Sequence, residues 1–87
     1  MIDAVKLRRQ VRVVLGSSSD EVTVPEAYIH AGLSDFFPRG ERIPVDEMLA
    51  ALAWNEARGW CARRRNPEME RNEWLLTPQG RAREGIA

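Results

Sequence analysis

The chain reads as a small α+β fold: a three-helix core, a two- to three-stranded antiparallel sheet along one side, and a short C-terminal helix. Three observations predict this. Apolar residues recur near helical spacing in residues 2–15, 25–33 and 45–58. After Gly59 that period gives way to two β-prone segments around Asn66-Pro67-Glu68. Glycine, proline and serine clusters punctuate the boundaries between the segments.

The first helix is expected over residues 2–15. Val5, Val11, Val14 and Leu15 supply its apolar positions, and Lys6, Arg8, Arg9 and Arg12 lie between them. Asp3 sits in the first turn, where a carboxylate suits the positive end of the helix dipole. Gly16 and three serines stop the helix. The β-branched run Arg12-Val13-Val14-Leu15 after Val11 also permits a strand. Val22-Thr23-Val24 suits a short edge strand. Pro25 fits the first position of a second helix, residues 25–33, which would bury Ala27, Tyr28, Ile29 or Leu33.

Residues 34–44, SDFFPRGERIP, form a connector that Phe36 and Phe37 would pin to the core. The third helix, residues 45–58, carries Met48, Leu49, Leu52 and Ala53 on one face and Asp46 and Glu47 in its first turn. Gly59 ends it by adopting a left-handed conformation. Strands are expected at 60–65 and 71–76, with Trp60 and Trp74 meeting across the hairpin. Thr77-Pro78 reads as an N-cap and first residue of a last helix reaching about Gly85.

The 87 residues are expected to form a single domain, 1–87. With 44% hydrophobic and 30% charged residues, the composition is that of a globular chain rather than a disordered one. Thirteen basic and thirteen acidic residues balance, so any electrostatic attraction must come from local distribution. A single cysteine, Cys61, gives no internal disulfide. No apolar run approaches the ~20 residues that span a bilayer, and the N-terminal charges interrupt any signal-peptide pattern. A cytoplasmic protein with no membrane partner is the expectation.

Several motifs together resemble the winged helix-turn-helix superfamily. These are a helix ending in Ala57-Arg58-Gly59-Trp60, an arginine-rich hairpin with an Asn-Pro-Glu turn, and Leu76-Thr77-Pro78-Gln79-Gly80. The segment 45–83 is similar to the wing region of MarR-type and PadR-type regulators and of short phage and prophage winged-helix proteins. The resemblance implies duplex DNA as partner and a cytoplasmic accessory or transcriptional regulatory role. It carries phosphate contact onto the wing positions Arg63, Arg64, Arg65 and Arg71, and places Asp46, Glu47, Ala50, Ala51 and Trp54 on the third-helix surface. This third helix departs from a groove reader: it opens with two carboxylates and has no basic residue before Arg58. Asn55 stands where the resemblance would place an apolar side chain.

Each candidate has a plainer account beside the functional one. Arg63-Arg64-Arg65 can equally be a charged edge that blocks sheet-to-sheet association, with Glu68, Glu70 and Glu73 as neutralising neighbours. Arg39 and Arg42, before the third helix, either extend the phosphate surface or form an ordinary polar loop. The basic face of the first helix reads as solvated. Trp60 and Trp74 read as core, whereas an exposed Trp54 would mark a protein contact, in a homodimer or with another protein. His30 and Cys61 are the sole residues of their kinds, too few for a zinc site. No phosphate loop, oxyanion motif or cofactor motif is present, so the chain is expected to be neither an enzyme nor a cofactor binder.

Overall fold

In the computed structural model, which describes residues 2–19 and 21–86, four α-helices pack with one three-stranded antiparallel sheet. The elements in chain order are α1 (Ala4–Gly16), β1 (Val24–Pro25), α2 (Glu26–Leu33), a 3-10 turn (Ser34–Phe36), α3 (Val45–Ala57), β2 (Cys61–Asn66), β3 (Arg71–Leu76) and α4 (Pro78–Arg83). The spatial order of strands is β1-β3-β2, so β3 lies at the centre.

α1 is a helix through the β-branched run. Asp3 is its N-cap rather than a first-turn residue: Oδ1 accepts from the Val5 N–H at 2.9 Å and the Lys6 N–H at 3.3 Å. The buried stripe is Leu7, Val11, Arg12 and Leu15. Val5, expected in the core, is 71% exposed. At 100° per residue it lies about 200° from Leu7, outside the stripe.

The edge strand, Val24–Pro25, starts two residues later than expected. Val24 pairs with Trp74 and Pro25 with Glu73, which leaves Val22 exposed. Pro25 is tolerated there because an edge strand has one row of N–H groups without ladder partners. It serves as N-cap of α2. α2 buries Ile29 and Leu33 and exposes Ala27 and Tyr28. Of the two connector phenylalanines, Phe37 is buried and Phe36 is not. Ile43 joins Phe37 in the core, and its carbonyl accepts from His30 Nε2 at 2.7 Å.

The inner face of α3 is Met48, Ala51, Leu52 and Asn55, spaced i, i+3, i+4 and i+7. Leu49 and Ala53, expected there, point outward. The helix closes with two nested bonds: Gly59 N–H to the Glu56 carbonyl at 3.0 Å and Trp60 N–H to the Asn55 carbonyl at 3.0 Å. Gly59 has φ +76°, the left-handed geometry that this ending requires.

The hairpin register sets Cys61 opposite Leu76, Arg63 opposite Trp74, and Arg64 opposite Glu73. Trp60 therefore precedes β2 and does not meet Trp74. Its carbonyl instead accepts from the Thr77 N–H at 3.0 Å. Thr77 caps α4 by accepting from the Gly80 N–H at 3.0 Å. One apolar cluster joins α1, α2, α3 and the sheet, with Leu7, Val11, Ile29, Leu33, Leu52 and Leu76 almost wholly enclosed. Each such aliphatic side chain contributes about 1.5–3 kcal/mol through burial.

Gly80 lies against the Trp60 carbonyl and the Leu76 side chain, so a Cβ there would collide with both. Glycine-to-alanine normally favours a helix by about 1 kcal/mol. Here the sign reverses: Gly80→Ala is expected to destabilise the fold by about 1–3 kcal/mol through overpacking. The urea midpoint of the variant measures it.

Candidate functional site

The hairpin presents its arginines through strand alternation. Arg63, Arg64 and Arg65 are all exposed. Arg63 extends the row begun by Cys61 and reaches within 6.0 Å of the Trp74 ring centre. Its Nε stands 3.9 Å from Glu56 Oε2, and both side chains are more than one-third exposed, a weak pair in solvent. Arg64 Nη1 donates to the Arg63 carbonyl at 3.1 Å. Neither Arg64 nor Arg65 forms an ion pair among the described residues.

Glu73 faces Arg64 across the ladder but is committed elsewhere. It accepts from the Thr23 hydroxyl, from Asn66 Nδ2 at 3.0 Å and from Arg71 Nε at 2.9 Å. Those donors, Thr23 foremost, then Asn66 and Arg71, hold its carboxyl down at about 2. Glu73, on β3, thus ties the approach to β1 and the end of β2 to the central strand, and it draws Arg71 toward the sheet. Trp74 Nε1 donates to Glu26 Oε2 at 2.8 Å, which fastens β3 to α2. Arg39 and Arg42 are exposed in the segment before α3 and form no ion pair among the described residues.

Trp54 is half-buried, and its ring is already attended by arginine. The Arg58 guanidinium lies 3.5 Å from the ring centre and that of Arg8 lies 4.7 Å away. Trp54 meets Trp60 edge-on at 5.7 Å, and Trp60 in turn carries Arg12 at 5.1 Å and Arg83 at 4.7 Å. The basic face of α1 is therefore partly organised against indoles rather than simply solvated. Sequence reading missed this cluster, although Trp54 and Arg58, and Arg8 and Arg12, each stand four apart on one helix face.

Beneath it lies a buried polar centre. Arg12 Nε pairs with Glu84 Oε1 at 3.0 Å, and the two side chains are 8% and 12% exposed. Arg12 Nη1 donates to Asn55 Oδ1 at 2.9 Å and to the Arg8 carbonyl at 3.3 Å. Asn55 Nδ2 donates to the carbonyls of Arg8 at 3.0 Å and Ala51 at 2.9 Å. Asn55 is polar at an apolar position because it satisfies α1 and α3 together.

Outward from α3 the surface is apolar and acidic. Val45 is 54% and Leu49 36% exposed, beside Asp46, Ala50 and Ala53. Burial pushes the Cys61 thiol up to about 12, against the nearby Arg12 charge and with that of Glu56. It stays protonated and unreactive at neutral pH. Among the described residues no group of three or more His, Cys, Asp or Glu could hold a metal ion, and no helix is long and apolar enough to cross a membrane. Comparison with models of protein families, with curated proteins and with solved structures gives no match for this chain.

Two outcomes follow from the buried charges. Glu73 has an ordinary carboxyl value of 4.5 when unfolded and about 2 when folded. Its stabilisation is present above the higher value and is lost as pH falls toward the lower one. Urea midpoints should drop through that window, and Glu73→Gln should flatten the drop. Arg12→Ala leaves Glu84 and Asn55 without their donor and is expected to cost about 3–5 kcal/mol, read by chemical denaturation.

Proposed function

We propose that this chain is a small winged helix-turn-helix protein that holds duplex DNA by its backbone, with the β2–β3 hairpin as the wing. In this reading α2 and α3 are the helix-turn-helix pair, and the role is that of an accessory or regulatory factor of bacterial, phage or prophage type. One observation carries the reading: Arg63, Arg64 and Arg65 project from a ribbon whose adjacent carboxylate, Glu73, is saturated by other donors. Arg64 and Arg65 are thus left without an ion pair among the described residues, and Arg63 has only its weak Glu56 pair, while the strands beneath them are braced. Arg39 and Arg42 supply further positive charge from the turn before α3.

Contact is to phosphates rather than base edges. The outward face of α3 offers Val45, Asp46, Leu49, Ala50 and Ala53, none of which has the donor pattern that reads a base pair. Three phosphate contacts give a log-affinity against log-salt slope of about −2.7, at about −0.9 per contact. Arg64→Ala/Arg65→Ala should flatten it by about 1.8 in duplex titrations across a salt series. An unaltered slope in that double variant would reject the wing assignment.

A second reading has its own observation. The exposed Val45 and Leu49, four apart on α3, form an apolar strip beside Asp46, which suits a protein partner or a second copy. Leu49→Asp should then abolish a concentration-dependent dimer in light scattering. A protein that is monomeric at all concentrations removes the self-association version.

A further inference from the structure

We propose that the groove along α1, roofed by Trp54 and Trp60 and closed by Arg83, binds the phosphate backbone of a single-stranded nucleic acid. The groove uses α1, the end of α3 and α4, none of which belongs to the hairpin. The inference therefore stands apart from the duplex reading.

The argument starts from charge. Lys6, Arg8, Arg9 and Arg83 line the groove, and none of them forms an ion pair among the described residues. Arg12, the remaining basic residue of the lining, is neutralised by Glu84. The one carboxylate in the lining, Asp3, is engaged in capping α1. A chain with zero formal net charge has thus gathered in one concave place four cations without an ion-pair partner among the described residues, against the single carboxylate of Asp3. That arrangement raises the local concentration of an anionic ligand.

The kind of anion follows from how the cations are held. Arg8 and Arg83 sit 4.7 Å from the Trp54 and Trp60 ring centres respectively. A guanidinium placed over an indole keeps its N–H fork free at the edge, the geometry that grips phosphate oxygens two at a time. Unpaired bases also stack on guanidinium planes and aromatic rings, which a duplex does not permit.

The test titrates the intact protein with a short oligothymidine, following anisotropy and tryptophan fluorescence across a salt series. Binding with quenched fluorescence is expected. Arg9→Gln/Arg83→Gln, at two exposed positions outside the buried Arg12 centre, should reduce the salt slope by about 1.4, at about 0.7 per contact on a single strand. Arg9→Lys/Arg83→Lys should restore most of it, and equal thermal midpoints for the variants confirm that the fold is intact. Should the glutamine pair lower the midpoint, Arg9→Gln alone is read instead, with half the slope change. No binding at low salt overturns the proposal, as does a wild-type slope in the glutamine variant. So does a slope lost in Arg64→Ala/Arg65→Ala but kept in Arg9→Gln/Arg83→Gln, which would move the strand to the hairpin. Anionic phosphatidylserine vesicles or inorganic phosphate displacing the oligonucleotide at equal phosphate concentration would also overturn it. A failed duplex titration leaves it untouched, because the probe and the residues differ.

Discussion

The structure turns on Asn55 and what it holds together. Its side chain receives Arg12 and donates back to the Arg8 carbonyl, so α1 and α3 are bonded through one amide. Its own carbonyl takes the N–H groups of Arg58 and Trp60, which folds the chain out of α3 and into β2. Arg12 then extends the same centre to Glu84 beyond α4. A buried guanidinium is tolerable only because a carboxylate and neutral acceptors surround it. A buried amide in turn requires its acceptors in fixed places. That combination makes the angle between α1 and α3 specific in a way that leucine packing alone would not.

The sheet has a matching lock in Glu73. With hydrogen bonds reaching Thr23, Asn66 and Arg71, it fixes both edge strands to the central one. Its consumption there also has an electrostatic result. The carboxylate opposite Arg64 forms no ion pair with it, so Arg64 and Arg65 stand unpaired among the described residues on the hairpin although the chain as a whole is neutral. Charge balance over the chain and charge balance over a surface are separate properties, and the difference is made by which acids are spent internally.

The same separation divides the helices. α3 carries Asp46 and Glu47 in its first turn and shows alanine, valine and leucine outward. α1 carries the cations, and two indoles from α3 and its exit stand against them. The molecule thus has two basic surfaces, on the hairpin and along α1, and an apolar acidic strip on α3. The arginines of α1 cover indole surface as well as carrying charge, so neither property of the residue can be considered alone.

Local chemistry made much of the fold legible. Asp3, Gly59, and Thr77 before Pro78 mark helix ends because each satisfies or reverses backbone groups within a few residues. The hairpin could be read from the change of period after Gly59. Which face of a helix turns inward was less legible. Residues 48–53 fit two overlapping apolar stripes, and only contact with α1 selects Met48, Ala51 and Leu52 over Leu49 and Ala53. Val5 and Tyr28 misled for the same reason: hydrophobicity says a residue can be buried, not that a neighbour is there to bury it. The exposed hairpin arginines were visible as a run. Their freedom was not, since it depends on Glu73 being occupied by Thr23, fifty positions away in the chain. Sequence by itself determined the helix ends, the strand pair and the supply of charge, because those are set by neighbours in the chain. Tertiary structure alone decided the pairing of Arg12 with Glu84, the stacking of arginine on Trp54 and Trp60, and which charges remain uncompensated, because these depend on distances between segments that local sequence does not constrain.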